Sequence, residues 1–509
     1  MFARAYTGTV FGIEGIPVTV EADAGDGLPM FEMVGYLGSE VREARERVRT
    51  AMKNSGYPVP PCRLTVSLSP ADLRKQGNYF DLSIAAAILA ACGYIPASCL
   101  EQVLLIGELG LDGSLRPVAG ALTLAGCGLE REIRSVIMPR ENAREGACHD
   151  GVRVMGAGSL KEVVGFLTDP GSAIYQEAME ETETDTGEAC EDFSDINGQY
   201  LVKRASEVAA AGMHNILFIG PPGSGKTMTA KRIASIMPRM TREEQVEISK
   251  IYSVCGLLPA GGGLVKKRPF RNPHHTISAQ ALIGGGVVPK PGEISLANGG
   301  VLFLDELPEF PKHVLETLRQ PLEDGRVVIS RLHGVYTYPS RMMLAAAMNP
   351  CPCGYYPDRN RCRCSKGEVD RYLSRISQPL LDRIDISVEA RRVEYKELLQ
   401  NGVNESSQSI RCRVERASEI QKERYKKEGI HFNSQLNRSL MKKYCVLGRE
   451  EQRLLNDVFE RLGLSVRAHD RIVRVARTIA DLDQSERIRV KHLSEAVGYR
   501  NIDKKYWGT

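Results

Sequence analysis

Long apolar runs are missing from this 509-residue sequence: the longest, Ile84 to Cys92, falls well short of the roughly 20 residues that span a bilayer. The opening MFARAYTGTVFGIEG offers no stretch suited to a secretory signal, so a cytosolic protein with no membrane partner is expected. Aromatics are scarce, at 6% with a single Trp, which leaves aliphatic side chains to build the cores. Short internal repeats are absent. A disulfide framework is not expected either, because cytosolic thiols stay reduced and the thirteen cysteines are odd in number. Any special cysteines should bind metal or react.

Basic residues are missing locally. Asp169 to Asp195 holds ten Asp or Glu and no Lys or Arg, with no apolar periodicity, and reads as a solvated linker. The overall charge of +4 therefore hides an asymmetry: outside that stretch, 67 Lys and Arg face 53 Asp and Glu, a net +14 able to attract a polyanion.

At roughly 150 residues per domain the length implies about three domains. Before the linker, strand-like runs (Ala3 to Val10, Pro17 to Ala22, Arg63 to Leu68, Val103 to Ile106) mix with an Ala-rich helix, Asp81 to Ala91, giving an α+β domain over residues 1–168. The linker is set at 169–193. From 194 to 393 strand-like and helical runs alternate, as in an α/β domain with a parallel sheet. Residues 394–509, rich in Arg, Lys, Glu and Leu at helical spacing, predict a helical domain.

The strongest chemical signal is Gly220-Pro221-Pro222-Gly223-Ser224-Gly225-Lys226-Thr227, preceded by the apolar strand Ile216 to Ile219 and followed by a helical pattern. Such a loop binds ATP: glycines admit backbone N–H groups to the phosphates, Lys226 reaches the β and γ phosphates, and the Thr227 hydroxyl ligates Mg²⁺. A second strand, Val301 to Leu304, delivers Asp305 for Mg²⁺ and Glu306 to polarise the attacking water. A third, Met343 to Met348, ends in Asn349, an amide suited to positioning that water.

DFSDINGQ (Asp192 to Gln199), RPFRNPHHT (Arg268 to Thr276), GEISLANGGVLFLDELPEF (Gly292 to Phe310), AAMNPCPCGYY (Ala346 to Tyr356), SQPLLDRIDI (Ser377 to Ile386) and SVRAHDRIVRVARTIADL (Ser465 to Leu482) extend the pattern. With it, residues 194–509 resemble the magnesium-chelatase-like branch of the AAA+ ATPases, and the whole chain resembles the YifB/ComM family of competence-associated proteins. The resemblance implies that Asn349 is the sensor-1 residue and that Arg383 is an arginine finger acting on a neighbouring subunit's ATP. It places Arg467 at the sensor-2 position, with Arg474 the weaker candidate. A finger in trans implies a homo-oligomeric ring, and hexamers are the family habit. For each arginine the bland alternative is a surface ion pair worth under about 1 kcal/mol.

The 79 residues separating Lys226 from Asp305 exceed what one helix and strand need. In the resembled branch an insert in the second helix points into the pore, whereas a flexible loop serves equally for Lys266 to Arg271. His274 and His275 are left unassigned. RVVISRLHGVYTYPSR reads as a hairpin around Leu332-His333-Gly334. It occupies the place of the hairpin that helicases of this clade push along DNA, and Arg331 and His333 are its candidate phosphate contacts; merely solvated arginines are the competing reading. Cys351, Cys353, Cys362 and Cys364 fall within 14 residues and suit a tetrahedral, structural Zn²⁺ site, against the alternative of reduced loop cysteines.

Leu64 to Gly93 and Leu105 to Leu122 resemble the Lon-type peptidase fold, whose serine–lysine chemistry is not supplied here: Tyr79 stands at the serine position and Leu122 at the lysine position. Ser67, Ser69 and Lys75 lie nearby without forming an evident dyad. Three functions compete. An ATP-driven ring motor on single-stranded or branched DNA, promoting branch migration in natural transformation, is favoured by the +14 balance and the hairpin. A remodeller of a protein partner, of the magnesium-chelatase motor type, is the alternative. A non-motor binding protein fits worst with the complete ATPase motif set.

Overall fold

The computed structural model describes residues 1–169, 171, 174–176, 191–258, 263–332, 334–392, 404–462 and 465–508. The chain forms two compact units, and neither is continuous in sequence. The first comprises Met1–Thr184, Thr241–Lys266 and Val328–Tyr338; the second comprises Asp185–Met240, Lys267–Val327 and Pro339–Thr509.

Strands β1 (Phe2–Phe11), β2 (Glu14–Gly25), β3 (Met30–Val34), β4 (Arg63–Ser69), β5 (Val103–Leu105), β8 (Ser135–Pro139), β9 (Arg153–Ala157) and β10 (Tyr175–Gln176) build one sheet in the first unit. Their order is β10-β9-β8-β5-β1-β2-β4-β3, while β6 (Glu108–Leu109) and β7 (Leu115–Arg116) pair separately. The sheet is mixed: β1 runs antiparallel to β2 and parallel to β5. Against it lies the helix Asp81–Ala91, every residue of which is buried. Its Ala and Ile content suits a helix packed on all sides, and Arg47 grips Asp81 in its first turn with two bonds of 2.9 and 3.0 Å. Most of the acidic stretch lies outside the described residues. One part of it is not merely solvated, since Tyr175–Gln176 pairs antiparallel with β9 and Arg153 lies over the Tyr175 ring.

Two segments far along the chain complete this unit. The helix Arg242–Val254 opens with a capping box between Thr241 and Glu244. Its Ser253 carbonyl accepts from the Gly120 N–H, and Leu264 beyond it packs with Leu122 and Cys148. The second segment belongs to the hairpin of β16 (Arg326–Arg331) and β17 (Gly334–Pro339). There Tyr336 stacks on Phe11 with ring centroids 4.4 Å apart.

In the second unit β11 (Ile216–Ile219), β12 (Phe270–Arg271), β15 (Val301–Leu304), β18 (Met343–Met348) and β19 (Ile386–Glu389) form an all-parallel sheet, ordered β12-β15-β18-β11-β19. A small ribbon of β13 (Gly284–Gly285) and β14 (Lys290–Pro291) lies between β12 and β15 in the chain. The strands β11, β15 and β18 are buried along their whole lengths, as expected where both faces of a parallel sheet are covered. From Ser407 the unit is helical, through Ser407–Tyr425, Arg438–Tyr444, Arg449–Leu462, Val466–Leu482, Val490–Gly498 and Asn501–Trp507. The protein is thus mixed α/β with a parallel-sheet core and a C-terminal helical region. Among the described residues no helix is long and apolar enough to cross a membrane.

Candidate functional site

In an all-parallel sheet the C-terminal strand ends gather on one edge, where ligands of open α/β sheets bind. Here that edge brings together the ends of β11, β15 and β18. The loop after β11 turns at Gly223 and Gly225, with φ of +76° and +83°, and a Cβ at either would meet nothing within 4 Å. Its backbone is therefore open to a ligand. Gly220 is required for a different reason, because a Cβ there would lie 2.2 Å from the Ala390 carbonyl oxygen.

Lys226 begins the following helix and is buried, with its ammonium donating to the Gly220 and Pro221 carbonyls at 2.7 and 2.9 Å and to Asn349 Oδ1 at 3.2 Å. Burial pulls its pKa down to about 8, although Asp305 and Glu306 pull the other way. Thr227 donates its hydroxyl to Asp305 Oδ2 at 2.7 Å, so the two oxygen ligands expected to share Mg²⁺ are already adjacent. The Ser224 hydroxyl is buried and finds no partner among the described residues. An unanswered hydroxyl, open glycine amides and a buried cation make up a donor set that fits a polyphosphate with its divalent ion.

Glu306 adopts the left-handed backbone region at φ +51°, a conformation that costs energy for a residue with a side chain. It leaves the carboxylate largely exposed and 3.7 Å from His275 Nδ1, while the His274 ring lies 4.0 Å from the His275 ring. His275 thus belongs beside the predicted water-activating carboxylate, a placement for which the histidine pair alone carried no signal. In Lys266 to Arg271 the two lysines are exposed while the two arginines are anchored. Arg268 is buried and donates to the Pro238 carbonyl at 2.6 Å, and Arg271 pairs bidentately with Glu293 at 2.6 and 2.7 Å.

The cleft around the loop has a volume of about 620 Å³ and is lined, besides the loop itself, by Asp195, Ile196, Asn197, Gln199 and Arg392. Sequence reasoning assigned none of these a role. Gln199, at φ +56°, donates to the Ser224 carbonyl at 3.2 Å and so ties the DFSDINGQ segment to the phosphate loop.

Arg383 donates to the Arg319 and Pro379 carbonyls at 3.0 and 2.7 Å and pairs with Glu323, so its guanidinium is held within its own chain. Arg467 is exposed in the first turn of its helix, capped by Ser465. Arg474 donates to the Ser434 carbonyl at 2.7 Å. A buried network went unread beside them. Asp385, two residues beyond Arg383, accepts from the Asn215 N–H, lies 3.4 Å from His214 Nδ1 and 3.7 Å from Arg471 Nε. Burial alone would raise the Asp385 carboxyl, but His214, Arg474 and Arg471 hold it well below the usual carboxylate range. His214 Nε2 in turn meets Thr478 at 2.7 Å, joining the start of β19 to the helix Val466–Leu482.

The predicted hairpin is present. Ile329, Tyr336 and Tyr338 are buried, while Arg331 and Leu332 sit exposed at the tip; His333 lies outside the described residues. The four cysteines after Asn349 converge, every sulfur within 4.8 Å of every other. Burial raises the Cys353 thiol, yet backbone N–H groups of Tyr355 and Arg363, together with the thiols of Cys351 and Cys364, hold it below its ordinary range.

In the first unit the positions of the absent dyad are filled by packing groups. The Tyr79 hydroxyl shares a hydrogen bond with Thr9 at 3.0 Å and accepts from the Val10 N–H, while Leu122 is wholly buried. Lys75 is buried and donates to the Pro70 carbonyl rather than to Ser67 or Ser69.

Known proteins match along nearly the whole length. The family described as magnesium chelatase, subunit ChlI matches residues 192–398, a second described as subunit ChlI of Mg-chelatase matches residues 20–142, and the magnesium chelatase subunit ChlI C-terminal family matches residues 404–500. The YifB proteins of Salmonella typhimurium and Escherichia coli are 43% and 42% identical over 99% and 98% of this chain and 97% of their own. Competence protein ComM of Haemophilus influenzae is 42% identical over 98% of this chain and 97% of its own. The magnesium-chelatase 38 kDa subunit of Rhodobacter capsulatus is 23% identical over 31% of this chain. On these grounds, and with the phosphate loop in its strand–loop–helix setting, the chain belongs to the YifB/ComM family of magnesium-chelatase-like AAA+ ATPases.

Proposed function

We propose that this protein is an ATP-driven ring motor that moves branched DNA, promoting branch migration of recombination intermediates during natural transformation. The observation that carries this reading is the hairpin β16–β17, which follows the strand ending at Asp305 and Glu306 and precedes the strand ending at Asn349. Its exposed tip carries Arg331, and the hairpin lies in the chain between the two strands that deliver Asp305 and Asn349. The ComM relative of Haemophilus influenzae, named for competence, supports the setting.

In this mechanism Lys226 holds the β and γ phosphates, and Thr227 with Asp305 holds Mg²⁺, which supplies charge neutralisation at the phosphates. Glu306 takes up the proton of the attacking water, which Asn349 orients. Arg383 leaves Glu323 and serves the ATP of the next subunit in a hexamer, and Arg467 reports the nucleotide state from the helical region. The basic tip then grips phosphates without reading bases, so binding falls steeply with salt and tolerates many sequences. The four thiolates of Cys351, Cys353, Cys362 and Cys364 hold a structural Zn²⁺.

The test is strand displacement from a labelled four-way junction with ATP across a salt series. Movement at low salt that disappears in Arg331→Ala, with basal ATPase retained, is expected. A second reading, ATP-driven remodelling of a protein partner, is favoured by the magnesium chelatase family matches. It takes over if DNA neither stimulates the ATPase nor is moved.

A further inference from the structure

From Asn349 to Ser365 the chain forms neither helix nor strand, so regular hydrogen bonding does not fix its shape. What converges there is sulfur. Cys351 Sγ lies 3.4 Å from Cys353 Sγ and 3.8 Å from Cys362 Sγ, and the latter two are 3.7 Å apart. The Tyr356 N–H also points at Cys351 Sγ, at 3.3 Å, an outer-shell contact of the kind that supports thiolate ligands.

This loop touches the phosphate loop directly. Gly354, at φ +85°, comes so near Pro222 that a Cβ there would lie 2.5 Å from the proline ring. Cys351 is also two residues from Asn349, which receives the Lys226 ammonium. On another side the Ala390 carbonyl presses on Gly220, and its neighbour Glu389 is held by the Tyr506 hydroxyl at 2.7 Å. The Tyr506 ring in turn packs 6.2 Å from Tyr356 of the cysteine loop.

We infer that Zn²⁺ at these four cysteines braces the phosphate loop, so that metal occupancy sets the affinity for ATP. The inference rests on the zinc reading above and adds a role to it. With metal bound, Cys351 and Gly354 are fixed relative to one another, and they hold Asn349 against Lys226 and Pro222 in its place. Without it, only turn hydrogen bonds and N–H contacts to sulfur, such as Gly354 N–H to the Cys351 carbonyl and Tyr356 N–H to Cys351 Sγ, hold the four thiols, and the loop that backs Pro222 relaxes.

The experiment uses the full-length protein purified under reducing conditions. Metal is counted by mass spectrometry, and a fluorescent ATP analogue is titrated before and after dialysis against a strong zinc chelator. About one Zn²⁺ per chain is expected, with affinity at least tenfold weaker after removal and recovered on adding Zn²⁺ back. Gly354→Ala keeps all four ligands and should keep its zinc, yet weaken the analogue by pushing on Pro222. If the stripped protein retains its circular dichroism and binds the analogue within twofold of the loaded form, the brace is refuted while the metal site stands. If stripping unfolds the chain, unchanged affinity in zinc-loaded Gly354→Ala refutes it instead. Protein that neither carries nor takes up zinc overturns the metal reading itself.

Discussion

Two buried lysines, one in each unit, show what separates a structural cation from a functional one. Lys75 and Lys226 are both covered, both have their pKa lowered by burial, and both donate to backbone carbonyls a few residues away. The difference lies in what else faces them. Lys75 meets the Pro70 carbonyl inside a packed domain. Lys226 also meets Asn349 and lines a cleft of about 620 Å³ with open glycines and an unanswered serine. Desolvation prepares a group for chemistry only where a ligand can replace the lost water.

The sharpest way to break this comparison is to remove the second lysine. Lys226→Ala should abolish nucleotide binding and lower turnover at least on the order of 100-fold, whereas Glu306→Gln should lose turnover but still bind. Phosphate release together with analogue binding distinguishes them; normal turnover in either variant would remove that residue from the chemistry. Next in size is the buried network of the second unit. Asp385→Ala strips the counter-charge from Arg471 and His214 and should destabilise the protein by about 3 kcal/mol, seen as an earlier urea midpoint. A midpoint unmoved by the change would mean that the network contributes little.

A smaller effect concerns pH. Free Lys226 titrates near 8, and only its charged form attracts phosphate, so nucleotide affinity should be level below pH 8 and fall up to about tenfold per unit above it. An affinity flat to pH 9.5 would contradict the burial effect. Smallest is Lys75. Its depressed pKa means that the unfolded chain binds more protons as pH rises toward 10.5, so stability should climb over that range. Lys75→Met should flatten the climb while leaving ATPase intact. Denaturation midpoints at pH 7 and 10 check it.

Local pattern accounts for what was legible beforehand. The strands Ile216–Ile219, Val301–Leu304 and Met343–Met348 and the helix Asp81–Ala91 were readable because apolar runs and turn residues mark their own ends. Lys226, Thr227, Asp305 and Asn349 followed because each sits at a fixed step from such a strand, and the structure bonds Lys226 to Asn349 and Thr227 to Asp305. Contacts between distant segments were not readable. Leu264 meeting Leu122, Gln199 meeting Ser224, and Asp385 between His214 and Arg471 are pairings with no local signature. Tyr175–Gln176 was hidden for another reason. Two residues pairing on a sheet edge leave too short a pattern to stand out from a polar, acidic surrounding.

The discontinuous make-up of the first unit has a consequence for synthesis. A ribosome delivers Met1–Thr184 first, but the segment ending at Tyr338 emerges about 150 residues later, roughly 8–30 s at ordinary elongation rates. For about the first half of that interval Leu122 and Cys148 lack Leu264, and for nearly all of it Phe11 lacks the Tyr336 ring. The nascent domain therefore carries an open apolar patch until the ATPase core is more than half made. A fragment ending at residue 184 should be sticky and poorly soluble, and the first unit should close only once the segment ending at Tyr338 has emerged.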